Sequence, residues 1–162
     1  MTPAAARHED EPRPEGRPLS RVPDVAPAQR RFARARGAGL VLIVDDNADT
    51  RELYALYLQS RGFSAVTAQD GEAGVEIAFR HQPDLIVMDL SMPRLDGVMA
   101  TQRLKEDART GQIPVVILTG YPLAAIPQGA LNAGADALLT KPCLPEDLER
   151  HVRQLLGRAV GR

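Results

Sequence analysis

The sequence predicts an α/β protein built on a five-stranded parallel sheet. Five short strand-like segments alternate with segments in which apolar residues recur at helical spacing. The runs 40–44 and 85–88 contain no polar residue, which is typical of strands buried on both faces of a sheet. Alternation with short connections predicts right-handed crossovers, with five helices divided between the two faces. For five strands the common order is 2-1-3-4-5.

The first half of the chain supplies two strand–helix units and the central strand. Strand 40–44 is followed by Asn47 and Asp49, either of which can cap a helix. Segment 63–68 reads as a weaker edge strand, and Asp70 opens the second helix. The third strand then runs to Asp89. On the first helix, we expect three residues to face inward: Leu53, Tyr57 and Leu58.

The second half supplies three more helices and two strands. A helix begins at Gly97, with four residues expected to face inward: Val98, Met99, Thr101 and Leu104. Strand 113–118 follows, and prolines restrict the next helix to about residues 128–133. A short strand over 137–140 precedes the last helix, which begins at Pro145 and is expected to end at Gly157.

Composition limits the class of protein and suggests two parts. The net charge of the 162 residues is −1, so no strong field for nucleic acid or membranes follows from the total. Residues 1–38 are rich in Pro and Arg and carry a net +3, which predicts a disordered N-terminal arm before a domain over 39–160. The single Cys143, and the absence of an apolar run of membrane-spanning length or of a signal sequence, predict a cytoplasmic protein with no membrane insertion.

Polar groups follow four of the predicted strands where each strand ends. These groups are Asp45 and Asp46, Asp89, Thr119 and Lys141. In a parallel sheet these ends share one edge, where ligands bind. Three neighbouring carboxylates repel one another unless cations compensate them. Lys141 is one such cation and a divalent metal another, and hard oxygen ligands favour Mg²⁺ or Mn²⁺. The residues thus predict a phosphoryl site with Asp89 as nucleophile.

The sequence resembles the receiver domains of two-component response regulators. The likeness rests on Asp45-Asp46, on Asp89 with Met92-Pro93 and Asp96-Gly97, on Thr119-Gly120 and on Lys141-Pro142, and it covers residues 40–157. Within that family the chain resembles the single-domain chemotaxis regulators, and the likeness implies a flavodoxin-like receiver fold. By resemblance, Asp89 is the phosphoacceptor, Thr119 and Lys141 hold the phosphoryl oxygens, and the Lys141–Pro142 bond is cis. Asp46, Asp89 and the Ser91 carbonyl would bind Mg²⁺, with Asp45 acting mainly through water.

The resemblance also implies partners. A histidine kinase or a histidine phosphotransfer protein would supply the phosphoryl group, and a downstream protein would bind the face made by the fourth helix, fifth strand and fifth helix. No direct nucleic-acid partner and no organic cofactor are expected. The family often has an aromatic residue two or three positions before the lysine, where this chain has Leu138 and Leu139. Switching coupled to an aromatic side chain is therefore not expected.

Two alternatives remain open. The chain could be a phosphate sink or relay intermediate with no target of its own. It could also be an Asp-nucleophile phosphohydrolase similar to the haloacid dehalogenases. Those enzymes need a second acid two residues after the nucleophile, and here that residue is Ser91. We therefore expect a protein that catalyses only its own phosphorylation and slow dephosphorylation, and no enzyme acting on other molecules.

Overall fold

The computed structural model describes residues 37–126 and 128–160. The predicted arm over residues 1–38 therefore lies outside the described residues, apart from Gly37 and Ala38. The described residues form one parallel sheet of five strands, in the order β2-β1-β3-β4-β5. This order confirms the predicted topology. The strands are β1 (Leu40–Val44), β2 (Ser64–Ala68), β3 (Leu85–Asp89), β4 (Val115–Thr119) and β5 (Ala137–Thr140).

Five α-helices connect or follow the strands, as predicted. They are α1 (Ala48–Ser60), α2 (Gly71–His81), α3 (Gly97–Glu106), α4 (Gln128–Asn132) and α5 (Pro145–Val160). A short 3₁₀ turn over Leu123–Ala125 precedes α4. Asn47, Asp70 and Asp96 cap α1, α2 and α3 by accepting hydrogen bonds from backbone N–H groups of the first turns.

Successive residues of the central strands bury their side chains in two separate cores. On one face, Leu42, Ile86 and Ile117 pack with α2, α3 and α4. On the other face, the neighbouring residues of the same strands pack with α1 and α5. Because both faces are covered, β3 and β4 are buried along their whole length. The polar group at each strand end is therefore carried on a rigid element.

Three details of the predicted helices are wrong. Leu53 is 53% exposed, and Tyr54 takes the buried position beside Leu58. Residues 53–58 are all apolar or aromatic, so their spacing cannot select a face. Met99 is 50% exposed, and Ala100 is buried in its place. Helix α5 continues past Gly157 to Val160, because nothing at that position forces a left-handed turn.

A lysine–aspartate pair joins α3 to the edge of the sheet at which the strands begin, the amino-end edge. Lys105 Nζ donates to Asp136 Oδ2 at 2.9 Å and to the Ile113 carbonyl at 2.8 Å. The same Asp136 oxygen accepts from the Val115 N–H at 2.9 Å. These contacts fix the starts of β4 and β5 against the end of α3. Across the described residues, no helix is both long and apolar enough to cross a bilayer.

Candidate functional site

Four strands deliver polar side chains to the carboxyl-end edge of the sheet. Asp45 and Asp46 directly follow β1, and Asp89 is the last residue of β3. Thr119 ends β4, and Lys141 directly follows β5. Strands β3 and β4 pair Asp89 with Leu118, and β4 and β5 pair Thr119 with Thr140. The parallel register thus brings the sequence-predicted residues to one rim.

The three aspartates form a compact acidic cluster. One carboxylate oxygen from each of Asp45, Asp46 and Asp89 lies within 4.8 Å of the others. Asp45 is 2% exposed and Asp89 is 5% exposed, whereas Asp46 lies open to solvent. Two buried carboxylates and one exposed carboxylate therefore face a common space.

Lys141 bridges the two buried carboxylates. Its Nζ donates to Asp45 Oδ2 at 2.8 Å and to Asp89 Oδ1 at 3.2 Å. Burial lowers the pKa of Lys141, but the hydrogen bond to Asp45 and the charges of Asp89 and Asp45 outweigh it, so the pKa is raised. The lysine is therefore a fixed cation. The Lys141–Pro142 peptide bond is cis, as the resemblance implied.

The charge of Asp89 is only partly compensated. Burial, together with the charge of Asp45, raises the pKa of the Asp89 carboxyl above its usual range despite the opposing effect of Lys141. One ammonium faces three carboxylates, so the cluster has an excess of negative charge. A further cation placed among these oxygens would relieve the repulsion.

Thr119 is fully buried at the end of β4. Its hydroxyl oxygen accepts a hydrogen bond from the Tyr121 N–H at 3.0 Å, and its carbonyl accepts one from the Lys141 N–H at 2.7 Å. The backbone bond couples the Thr119 strand end directly to Lys141. The Tyr121 side chain, by contrast, is 49% exposed.

The loop between β3 and α3 folds back on the strand it leaves. The Gly97 N–H donates to the Leu90 carbonyl at 2.9 Å. A Cβ on Gly97 would lie 2.1 Å from the Asp89 carbonyl oxygen, so only glycine fits there. Asp96 caps α3 and is not part of the acidic cluster. Ser91 lies exposed in this loop, two residues after Asp89.

Sequence reasoning missed three residues that hold the site's backbone. Arg51 Nη1 donates to the Asp45 carbonyl at 2.7 Å, and the Tyr54 hydroxyl donates to the Cys143 carbonyl at 2.8 Å. Arg94 forms a 2.7 Å ion pair with Asp70, which joins the β3–α3 loop to the start of α2. Arg51 lies close to the Asp pair in sequence and could have been suspected. The other two contacts join distant segments and leave no local pattern.

The chemistry of the donor set fits a divalent metal ion. Three convergent carboxylate oxygens are hard ligands of the kind that Mg²⁺ and similar ions prefer. The exposed Asp46 leaves the cluster open to solvent, so water can complete an ion's coordination shell. The neighbouring ammonium and hydroxyl groups suit an anion, such as a phosphoryl group, next to such an ion.

Comparison with known proteins supports the same interpretation. The family model described as the response regulator receiver domain matches residues 41–153. The chain is 39% identical over 118 residues to the DNA-binding dual master transcriptional regulator RpaA of Synechocystis sp.. The match covers 73% of this chain and 49% of that protein. The chain is 36% identical over 119 residues to the response regulator Rre1 of Synechocystis sp., covering 73% of this chain and 52% of that protein. The chain thus spans about half the length of these curated relatives.

Solved structures of similar fold include two receiver proteins. The chemotaxis protein CheY4 of Vibrio cholerae superposes with a TM-score of 0.68 at 28% identity, covering 72% of this chain and 97% of that one. The receiver domain of sensor histidine kinase PA1611 from Pseudomonas aeruginosa, with a magnesium ion coordinated in its active site cleft, gives a TM-score of 0.69 at 29% identity. That match covers 74% of this chain and 98% of the other.

Sequence, fold and site therefore agree. Receiver domains bind a divalent metal at an acidic site and interact with histidine kinases. In this molecule Asp45, Asp46 and Asp89 form an acidic cluster at the carboxyl-end edge of the sheet. The chain belongs to the response regulator receiver domain family of two-component signalling systems.

Proposed function

We propose that this chain is a phosphorylation-dependent switch in a two-component phosphorelay. Asp89 would accept the phosphoryl group from a histidine kinase or from a histidine phosphotransfer protein. The observation that supports this most directly is the position of Lys141 Nζ, 3.2 Å from Asp89 and 2.8 Å from Asp45. A buried carboxylate with a fixed ammonium beside it can act as a nucleophile toward phosphorus.

The proposed transfer is a simple displacement. An Asp89 carboxylate oxygen attacks the phosphorus, and an O–P bond forms. The bond between phosphorus and the donor's imidazole nitrogen breaks, and its electron pair leaves with the imidazole. An ammonium has three N–H donors, of which Lys141 uses two on Asp45 and Asp89. The third can bind a phosphoryl oxygen, and the Thr119 hydroxyl can donate to another.

Mg²⁺, or alternatively Mn²⁺, is the metal we propose for the acidic cluster. Asp46, Asp89 and the Ser91 carbonyl would hold it, with Asp45 acting mainly through water. When bound, the ion supplies positive charge that offsets the phosphoryl oxygens. Asp45 fits the indirect role because one of its carboxylate oxygens accepts from Lys141 and the other accepts from the Asn47 N–H at 2.9 Å.

The output would be a protein contact. Phosphorylation adds about two negative charges and three acceptor oxygens, one of which would accept a hydrogen bond from the Thr119 O–H, whose oxygen accepts from the Tyr121 N–H. Movement of this strand end would shift the population of packings on the α4–β5–α5 face, where an unidentified downstream protein binds. A phosphate sink or relay intermediate would use the same acceptor chemistry without that contact.

We infer no enzymatic turnover on other substrates. A phosphohydrolase with an Asp nucleophile needs a second acid two residues further on, and Ser91 has no carboxyl group. Phosphorylation and slow dephosphorylation of Asp89 would therefore be the chemistry of this receiver domain.

A second form of output is favoured by the names of the relatives. RpaA is described as a DNA-binding transcriptional regulator, so we propose as a second output that this receiver domain controls a DNA-binding module. Titration of the chain with a mixed-sequence duplex at low and high salt distinguishes direct binding from control of a separate module. We expect no binding by the described domain, because its acidic balance disfavours phosphate contacts.

The central test is labelling of Asp89. Acetyl phosphate with Mg²⁺ should phosphorylate the wild-type chain, and Asp89→Asn should abolish labelling because the nucleophilic oxygen is lost. Mass spectrometry of the intact protein measures the phosphorylated fraction. Asp107→Asn is the matched control, since it removes one carboxylate in the loop after α3, away from the cluster. Labelling of Asp89→Asn at the wild-type rate would disprove the assignment.

A further inference from the structure

Helix α1 contacts the backbone of two segments, the one that carries Asp45 and the one that carries Lys141. Near its start, Arg51 Nη1 donates to the Asp45 carbonyl at 2.7 Å. One turn later, the Tyr54 hydroxyl donates to the Cys143 carbonyl at 2.8 Å. Residues three apart lie on the same side of a helix. Thus one rigid element is fastened to the segment after β1 and to the segment after β5.

The Tyr54 side chain is itself firmly held. It is 4% exposed and packs in the core between the sheet, α1 and α5, with Leu58, Leu148 and Val152. Burial raises the pKa of its hydroxyl to about 12, so the hydroxyl stays protonated and can donate at neutral pH. A buried, packed ring fixes the position of the oxygen at its end.

The Cys143 carbonyl lies two residues after Lys141, in the segment that joins β5 to α5. On its other side, this segment is tied to β4 by the bond from the Lys141 N–H to the Thr119 carbonyl, at 2.7 Å. The Lys141 side chain is 28% exposed. Its ammonium is therefore placed by the backbone that carries it and by its two carboxylate partners.

We propose that Tyr54 is a positioning residue that acts through the Cys143 carbonyl to hold Lys141 against Asp45 and Asp89. Its effect on phosphoryl transfer rests on the function proposed above, whereas its effect on the order of the Lys141 segment does not. Neither effect requires Tyr54 to touch the phosphoryl donor. The hydroxyl, not the ring, is the group that acts.

Two tyrosines on α1 allow a matched test. Tyr54→Phe removes only the oxygen that bonds the Cys143 carbonyl. Tyr57→Phe removes an equivalent oxygen three residues away, which donates to Glu149 on α5 at 3.1 Å instead. Both variants keep the aromatic ring, so both should fold, and both lose one side-chain hydrogen bond between α1 and the α5 side of the molecule.

The first measurement is amide hydrogen exchange of the full chain without phosphodonor. In Tyr54→Phe, the Lys141 amide and its neighbours should exchange faster, because the segment loses an anchor. In Tyr57→Phe, those amides should exchange as in the wild type. Unchanged exchange in Tyr54→Phe, or an equal acceleration in both variants, would overturn the positioning role whether or not the chain is phosphorylated.

The second measurement is the rate of labelling by acetyl phosphate at saturating Mg²⁺, together with the Mg²⁺ dissociation constant from calorimetry. We expect a roughly tenfold lower maximal rate for Tyr54→Phe, since misplacing a catalytic group reduces the rate steeply. Its Mg²⁺ affinity should be unchanged, because Asp46 and Asp89 are untouched. Tyr57→Phe should label at the wild-type rate.

The outcomes separate the two proposals. Labelling of Tyr54→Phe at the wild-type rate would overturn the effect of Tyr54 on phosphoryl transfer. Loss of Mg²⁺ affinity in step with the rate would also overturn it, because the whole site would then be disturbed. A wild-type chain that is never labelled would refute the proposed function, and hydrogen exchange would still decide the positioning role.

Discussion

The two lysines of the chain form ion pairs at opposite edges of the same sheet, and their surroundings differ in one respect. Lys105 meets one carboxylate, Asp136, which also accepts a backbone N–H. Lys141 meets two carboxylates, Asp45 and Asp89, with Asp46 beside them. The lysine side chains are similarly covered, at 18% and 28% exposure.

The difference lies in the balance of charge. At the amino-end edge, one cation and one anion compensate each other, and every contact joins elements of the fold. At the carboxyl-end edge, one ammonium faces three carboxylates, and burial raises the pKa of Asp89. A balanced pair is complete as it stands, whereas an unbalanced cluster is suited to binding something more. Charge imbalance on rigid elements therefore separates the site from the scaffold.

The largest expected effect separates the two lysines by activity. Lys141→Ala should slow labelling by acetyl phosphate by about 10²-fold, the size expected when one preorganised donor is removed from a transition state. Lys105→Ala should label at nearly the wild-type rate, because its partners lie at the other edge. Rates from intact-protein mass spectrometry give the comparison. Equal losses in the two variants would remove the distinction between the edges.

The next effect is on stability, and it has opposite signs at the two edges. Asp136→Asn should lower the free energy of unfolding by about 1 kcal/mol, because it weakens charge-assisted hydrogen bonds that are partly exposed. Asp89→Asn, without metal, should raise it by about 1 kcal/mol, because it relieves repulsion at a functional site. Urea unfolding followed by circular dichroism in the presence of a chelator measures both. A destabilised Asp89→Asn would contradict the imbalance.

The smallest effect concerns metal binding. Mg²⁺ at three times its dissociation constant should stabilise the wild-type chain by about 0.8 kcal/mol, since it binds only the folded state. Lys105→Ala should gain the same increment, and Asp89→Asn should gain much less, because it lacks one ligand charge. Unfolding curves with and without Mg²⁺ provide the increments. Equal gains in all three proteins would place the ion outside the acidic cluster.

Much of the fold and the positions of the site residues could be predicted because both follow from local patterns. An apolar run that stops at Asp45 or Asp89 predicts a buried strand, and the aspartate that follows or ends it predicts a residue at the carboxyl-end edge of the sheet. Helix faces were harder to predict. Residues 53–58 are all apolar or aromatic, so the choice between Leu53 and Tyr54 depends on the sheet and α5, which no short window contains.

Contacts between distant segments could not be predicted from the sequence. The Lys105–Asp136 pair and the bond from Tyr54 to Cys143 span 31 and 89 residues. Each partner also has ordinary local interpretations, such as a solvent-exposed lysine or a core tyrosine. Which residues hold the site in place is therefore a tertiary property, even where the residues of the site itself can be read from strand ends.

The closed β3–α3 loop has a consequence for how the gene can vary. Because Gly97 donates to the Leu90 carbonyl and its Cα lies against the Asp89 backbone, the intervening residues span a gap of fixed width. A codon gained or lost there would have to displace the strand or the helix. In a library of random insertions and deletions, we expect functional variants to be depleted between positions 90 and 97.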